Sequence, residues 1–433
     1  MDNKTRQSLI ESLSKDLPRY ASNFGAEFVT GKSQILYSGP YWDHRELEMA
    51  MQALLTGAWL VSGEYVVRFQ NEFSRKFGVK YSHMVNSGSS ANLVMLAAVK
   101  KCMKWADGDE VVVSPVGFPT TVAPVIQNGL TPVFVDIETD TLNFDVSKVS
   151  EKITDRTVAI FVSPVLGNPP DMDELVAICR KHEILLLGDN CDSLGSRWNG
   201  ELLSKLYYAW TTSFYPSHHI TTGEGGMICS DDPEIITTAR SISWWGRDCY
   251  CVGQANTLSC GTCGARFSRW LSDVDAIIDH KYLFTNVGYN LKPLDLQGAI
   301  GLAQLGKVDE IEVKRRTNKA AISKIFENHP HIRTASQHLQ ADPCWFGVPL
   351  ICDTVAFKER FVAHLEANKI QTRGYFAGNL LSHPGYSHLG NAPDFPQANT
   401  VLGTVFFLGC PPHYTGEIIE YIRKVVEDFG DNN

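Results

Sequence analysis

Apolar positions along this chain fall into two spacings that take turns. From Glu46 to Leu55, and again from Glu64 to Phe77, they recur with helical spacing, so both stretches read as amphipathic helices that pack on a sheet. Short apolar, β-branched runs follow at Glu110–Ser114, Thr131–Val135, Thr157–Val165, Glu183–Leu187, Tyr208–Phe214 and Gly226–Cys229. Helix-like segments such as Met172–Lys181 separate several of them. This alternation predicts an α/β chain with a mostly parallel, doubly wound sheet covered on both faces.

The rhythm breaks from Ser241 to Tyr289, a stretch with clustered cysteines, Trp244, Trp245 and Trp270 that reads as an insertion. A long helix is expected from Gly288 into Arg316, then a smaller part with strand-like pieces near Cys344–Leu350 and a closing helix at Thr415–Phe429. The expected division is an N-terminal arm over residues 1–45, a large part over 46–310 with the cysteine-rich insertion at about 241–285, and a small C-terminal part over 311–433.

Composition narrows the function classes. With 433 residues and 44% apolar content the chain can bury a large core. No apolar run approaches the ~20 residues of a membrane span, and Met1–Tyr20 lacks the apolar centre of an export signal, so a cytoplasmic protein is expected. A net charge of −9 without a basic block argues against nucleic acid as a partner. Eleven cysteines without an export signal point to thiols or metal ligands rather than disulfides. Cys249, Cys251, Cys260 and Cys263 lie close together, whereas Cys102, Cys179, Cys229, Cys344, Cys352 and Cys410 are scattered among apolar neighbours and read as core fillers.

Candidate chemistry concentrates in Thr211–Gly226, where a β-rich run is stopped by Pro216 and followed by His218, His219 and paired glycines. Strand ends of this kind line the crevice of an open α/β sheet. The turn Asn86-Ser-Gly-Ser-Ser90 opens a helix and offers N–H groups and hydroxyls to a phosphate, although plain serine capping explains it equally well. Asp189 ends an apolar strand and needs a partner, which a pyridinium nitrogen would supply. Phe118, just past another strand, is either a ring-stacking residue or core.

Taken together, Asn86–Ser90, Asp189, Ser213–Gly226 and Gly288-Tyr-Asn290 with Gln304-Leu305 resemble the vitamin B6-dependent sugar aminotransferases and dehydrases (DegT/DnrJ/EryC1/StrS-like), over roughly residues 45 to 425. The resemblance implies an aspartate aminotransferase-like fold of type I, with a seven-stranded sheet and a smaller C-terminal α+β domain. It implies that Gly88, Ser89 and Ser213 hold the cofactor phosphate, that Phe118 stacks on the ring and that Asp189 pairs with the ring nitrogen. Asn290 would reach the phosphate of the neighbouring subunit's cofactor, so a homodimer follows.

One position departs from the aminotransferase pattern. His218 stands where those enzymes have the lysine that forms an imine, and an imidazole cannot form one although it can move protons. This resembles the sugar 3-dehydrases, which hold pyridoxamine 5′-phosphate (or pyridoxal 5′-phosphate) without a covalent link. The likeness extends to the iron–sulfur branch that acts on CDP-4-keto-6-deoxyglucose, which would need an NADH-dependent flavin/iron–sulfur reductase as partner. There a [2Fe–2S] cluster would be held by Cys191, Cys249, Cys251 and Cys263, with Cys260 a contender for the last place. His219 is the alternative base, and Asp192 would orient the leaving hydroxyl.

Two other functions fit parts of the pattern. An ordinary pyridoxal phosphate-dependent sugar aminotransferase is disfavoured because no lysine lies between Lys205 and Gly226. A non-catalytic regulator with a zinc loop would use the clustered cysteines structurally, as Cys₄ sites commonly do.

Overall fold

A computed structural model describes residues 3–20, 28–57, 60–249, 266–271 and 273–430. Seven strands form the main sheet: β1 (Tyr81–Val85), β2 (Glu110–Val113), β3 (Thr131–Phe134), β4 (Thr157–Val162), β5 (Leu185–Asp189), β6 (Ala209–Ser213) and β7 (Gly226–Ser230). Across the sheet they run β1-β7-β6-β5-β4-β2-β3. Neighbours from β3 to β6 are parallel, and β7 is antiparallel to both β6 and β1. Strands such as β6 and β7 are buried along their whole length, which is why they read as unbroken apolar or small-residue runs instead of alternating ones.

Helices cover both faces. In chain order they are α1 (Asn3–Tyr20), α2 (His44–Thr56), α3 (Glu64–Phe77), α4 (Gly88–Met103), α5 (Pro119–Gln127), α6 (Val149–Lys152), α7 (Met172–His182), α8 (Pro233–Ser243), α9 (Asp295–Leu305), α10 (Val308–Ile325), α11 (Val355–Ala367), α12 (Pro396–Thr404) and α13 (Gly416–Phe429). One apolar layer joins α3 to the sheet through Phe69, Phe73, Trp210 and Phe214, and the other joins α4 and α8 to it through Val94, Met95, Ile228 and Ile235. Parallel neighbours need a covered crossover, and α5 and α7 supply two of them.

A second sheet, β8 (Ile332–Thr334), β9 (Gly347–Cys352), β10 (Thr372–Gly374) and β11 (Val405–Gly409), is antiparallel in the order β8-β9-β11-β10. It packs with α10, α11 and α13 around Phe361, Phe406 and Phe429. The segment before α2 is threaded across this unit: Ile35 bridges Ile370, and the Tyr414 hydroxyl donates to the Leu36 carbonyl at 2.8 Å.

The single long helix expected from Gly288 to Arg316 is two helices. Residues 288–294 are not helical, as Pro293 favours, and α9 stops at Leu305 before α10 restarts at Val308. The break lies at Gly306 and Lys307, where the Lys307 ammonium is fully buried 2.7 Å from the equally buried Glu46 carboxylate. Glu46 also accepts from Gln304 at 2.6 Å and from the Asp43 N–H at 2.9 Å, so one carboxylate caps α2 and anchors the α9–α10 turn. Of the cysteines read as core fillers, five are buried and Cys102 is only half-buried. The expected insertion contains a short strand pair, Arg269–Trp270 with Ile277–Ile278, and Cys251, Cys260 and Cys263 lie outside the described residues.

Removing Glu46 takes away the buried partner of Lys307 and leaves it only the partly exposed Asp43 carboxylate, 3.2 Å away. Glu46→Ala is therefore expected to cost about 3–5 kcal/mol in denaturant unfolding, and the double variant Glu46→Met with Lys307→Met less than that. A loss under about 1 kcal/mol for Glu46→Ala would show that Lys307 finds another partner.

Candidate active site

The carboxyl ends of β5 and β6 and the N-terminus of α4 meet at a cavity of about 460 Å³, whose other wall is built by Phe346, Phe376 and Phe407 of the C-terminal unit. This is the crevice position that open α/β sheets offer. At its floor lies Asp189, which is buried. Its Oδ2 accepts from Asn92 Nδ2 at 2.8 Å and Thr121 Oγ1 at 2.7 Å, and its Oδ1 accepts from the Cys191 N–H at 3.2 Å. Asn92 is fixed in turn by the Thr211 hydroxyl and by its bond to the Thr120 carbonyl. No lysine, arginine or histidine among the described residues forms an ion pair with Asp189, so a buried carboxylate faces the cavity supported only by neutral donors.

Beside it is a cradle for an anion. Ser87 caps α4, accepting from the Ser90 N–H at 3.1 Å, which leaves the first-turn N–H groups of Gly88 and Ser89 without intrahelical acceptors. Gly88 is required here: a Cβ at that position would sit 2.5 Å from the Ser213 Cβ and 3.1 Å from the Cys191 sulfur. Ser87, Gly88, Ser89 and Ser213 thus line one end of the cavity, and Phe118, 53% exposed at the start of α5, lies at its rim. The residues fit a pyridoxamine or pyridoxal phosphate: donors for its phosphate, an aromatic ring at the rim, and an anion without a cation for a protonated ring nitrogen.

The two histidines point in different directions. His218 lines the cavity with its Nδ1 3.5 Å from Asp192 and its ring 5.4 Å from Phe346. His219 is turned inward, its Nε2 2.7 Å from the Cys344 carbonyl, and does not line the cavity. Burial, assisted by Arg315, lowers the His218 pKa to about 3, so its imidazole is neutral near pH 7 and can accept a proton. Burial, with Asp189 nearby, raises the Asp192 carboxyl to about 7. Burial and the same two carboxylates also push the Cys191 thiol well above its ordinary value, so without a metal it stays protonated.

Arg315 is a residue the sequence did not disclose. In the charged run Lys314-Arg315-Arg316 it looks like solvent-facing helix, yet it is buried. Its guanidinium donates to the carbonyls of Trp345, Phe346, Ser217 and His218 at 3.1–3.4 Å. It therefore pins the backbone of His218 to the segment that leads into β9. Asn92 and Thr121 were missed as well; a lone asparagine in the apolar run Ala91-Asn-Leu-Val-Met95 was the available signal for the first.

Asn290 is exposed and outside this chain's own cavity, with its side chain bonded to Lys292. Cys191 lines the cavity, and Cys249 is buried in the stretch after α8. Among the described residues no group of three or more metal-binding side chains converges, and three of the five candidate cluster cysteines lie outside that set.

Comparisons with known proteins agree with this geometry. The model of the DegT/DnrJ/EryC1/StrS aminotransferase family matches residues 41–427. A dTDP-4-dehydro-2,6-dideoxy-D-glucose 3-dehydratase of Saccharopolyspora spinosa is 36% identical over 93% of this chain and 88% of its own. The lipopolysaccharide biosynthesis protein RfbH of Salmonella typhimurium is 35% identical over 98% and 99%. Among solved structures, the Escherichia coli GDP-4-keto-6-deoxy-D-mannose-3-dehydratase with bound hydrated PLP aligns with a TM-score of 0.79 at 31% identity, over 91% of this chain and 100% of that one. A mutant GDP-4-keto-6-deoxymannose-3-dehydratase with bound GDP-perosamine aligns equally well. The fold is thus that of the type I pyridoxal phosphate-dependent aminotransferases.

The orientation of the two rings gives a paired expectation. With a 4-keto-6-deoxy nucleotide sugar present, His218→Asn should keep pyridoxamine phosphate but lose solvent exchange of its C4′ protons by about 100-fold or more. His219→Asn should lose about 1–3 kcal/mol of stability by disturbing the bond to Cys344, with exchange largely retained. The opposite pattern would make His219 the base.

Proposed function

This chain belongs to the DegT/DnrJ/EryC1/StrS aminotransferase family, and within it we propose an iron–sulfur 3-dehydratase acting on CDP-4-keto-6-deoxy-D-glucose in 3,6-dideoxyhexose synthesis for lipopolysaccharide. The Saccharopolyspora and Escherichia coli relatives are sugar 3-dehydratases, which supports a nucleotide-sugar 3-dehydratase role in deoxysugar biosynthesis. The observation that carries the reading is His218, a neutral imidazole in the cavity beside the cation-free Asp189, where an aminotransferase has a lysine. The lipopolysaccharide assignment draws on the Salmonella relative, a lipopolysaccharide biosynthesis protein.

When bound, the cofactor supplies an amine for the sugar's 4-ketone and a ring that accepts electrons. Asp189 would hold the proton on the ring nitrogen, and the Asn92 and Thr121 hydrogen bonds keep that carboxylate aimed. Gly88, Ser89 and Ser213 bind the phosphate, and Phe118 limits ring movement from the rim. His218 takes a proton at C4′, for which a neutral, backbone-pinned imidazole is suited. Asp192, whose carboxyl burial and the nearby Asp189 raise to about 7, would orient the hydroxyl that leaves from C3 and can give it a proton.

Asn290 completes a phosphate site in a partner subunit of a homodimer, which accounts for its exposure in the single chain. A [2Fe–2S] cluster would supply one-electron steps from an NADH-dependent flavin/iron–sulfur reductase. We assign its ligands as Cys191, Cys249, Cys251 and Cys263, with Cys260 as the competitor for the last. Thiolates suit such a cluster, and Cys191, two residues from Asp189, would set it beside the cofactor. A cytoplasmic setting with reduced thiols is consistent with eight free cysteines among the described residues.

The purified protein should contain iron and acid-labile sulfide, and with CDP-4-keto-6-deoxyglucose, NADH and a reductase should form a 3-deoxy sugar. Cys191→Ser should lose the cluster and the product yet keep C4′ proton exchange, because dehydration needs only the base and the cofactor. Zinc in place of iron, or a Cys191→Ser variant with full iron content and full product, would remove the cluster from the account.

A further inference from the structure

The cavity wall opposite the Asp189 floor carries a cation that this chemistry does not use. Arg373 lies on β10, the edge strand of the four-stranded sheet, and is the only lysine or arginine that lines the cavity among the described residues. The titratable carboxylates and imidazole it shares the lining with are Asp189, Asp192, Glu224 and the neutral His218. No carboxylate among the described residues forms an ion pair with it. Its Nη1 donates to the Thr372 carbonyl at 2.7 Å, which leaves most of the guanidinium fork unoccupied.

The guanidinium is nevertheless held in place. Its carbon lies 4.2 Å from the centroid of the Tyr37 ring, within the range of a cation–π contact. Tyr37 is itself fixed: its ring meets Phe407 edge-on at 6.0 Å, and its carbonyl packs against Gly409 so closely that a Cβ there would collide with it. The next residue, Ser38, donates from Oγ to the Ser217 carbonyl at 2.8 Å, one residue from His218. The strand bearing the free cation and the loop bearing the base are therefore joined by the same short segment.

A planar, stacked guanidinium with free donor edges matches phosphate oxygens better than a flexible ammonium does. The cofactor phosphate already has a cradle at the start of α4. The second anion that must enter the cavity, given a nucleotide-sugar substrate, is the diphosphate. We propose that Arg373, seated on Tyr37, is the clamp for the diphosphate of the nucleotide sugar and sets the distance between that group and the reacting end at His218. This rests on the substrate class proposed above.

Calorimetric titration of the holoenzyme with CDP, GDP and dTDP, and with the matching monophosphates, tests the assignment. The unsubstituted protein should prefer at least one diphosphate to its monophosphate. Arg373→Gln should weaken that diphosphate by about tenfold or more, and Arg373→Lys by less, since a point charge keeps attraction but loses the fork. Tyr37→Leu should also weaken it, by releasing the guanidinium. Bound cofactor should be unchanged in Arg373→Gln, an exposed edge residue whose loss breaks no ion pair. Undiminished diphosphate affinity in Arg373→Gln overturns the clamp alone, and loss of cofactor instead of nucleotide would assign Arg373 to the cofactor phosphate and overturn it too. An unsubstituted protein that binds none of the three diphosphates overturns both the clamp and the proposed substrate class.

Discussion

A buried carboxylate held by neutral donors is the constraint on which the rest of the site depends. Asp189 sits at the end of β5 with Asn92, Thr121 and a backbone N–H as its partners, and no ion-pair partner among the described residues. Neutral donors hold its oxygens without pairing them to a cation, so the cavity offers an acceptor for a cationic donor at that point. In the proposed site a protonated ring nitrogen would meet it, with the phosphate at Gly88 and Ser213 at the other end of the same ligand. The sheet order that brings β5 and β6 side by side is what makes the two ends coincide.

The base is placed by a different set of contacts, drawn from three parts of the chain. Arg315 of α10 donates to the carbonyls of Ser217 and His218 and to two carbonyls before β9, while Ser38 from the segment preceding α2 holds Ser217 from the other side. Burial, and then the charge of Arg315, keep His218 neutral. Loop, helix and second sheet are thereby joined at His218, the proposed base. The Glu46–Lys307 pair at the start of α10 secures the helix that carries Arg315.

Much of this was legible in sequence because the chemistry sits in local motifs. The small-residue turn before α4, the aspartate ending an apolar strand, and the histidine in the loop before paired glycines each carry their reason within a few residues. What was hidden depends on tertiary contact. Arg315 and Arg373 have no local mark that separates them from surface arginines, and Thr121 becomes a donor to Asp189 only when α5 packs beside β5. The break between α9 and α10 was missed because Gly306 alone is a weak stop, and the decisive partner of Lys307 is Glu46, far away in sequence. The sequence favoured His218 with His219 as the alternative, and tertiary contact adds that only the His218 ring lines the cavity while His219 bonds the Cys344 carbonyl.

The central claim is that position 218 occupies the imine-forming place of this cofactor family and lacks only the amine. The direct measurement is reconstitution of His218→Lys with pyridoxal phosphate, followed by borohydride reduction and peptide mass mapping. The account predicts a visible absorbance band in the reconstituted variant and a stable cofactor adduct on the peptide that contains position 218, because a primary amine there can reach the aldehyde. A variant that binds the cofactor yet shows no band, or carries the adduct on a different lysine, would contradict it.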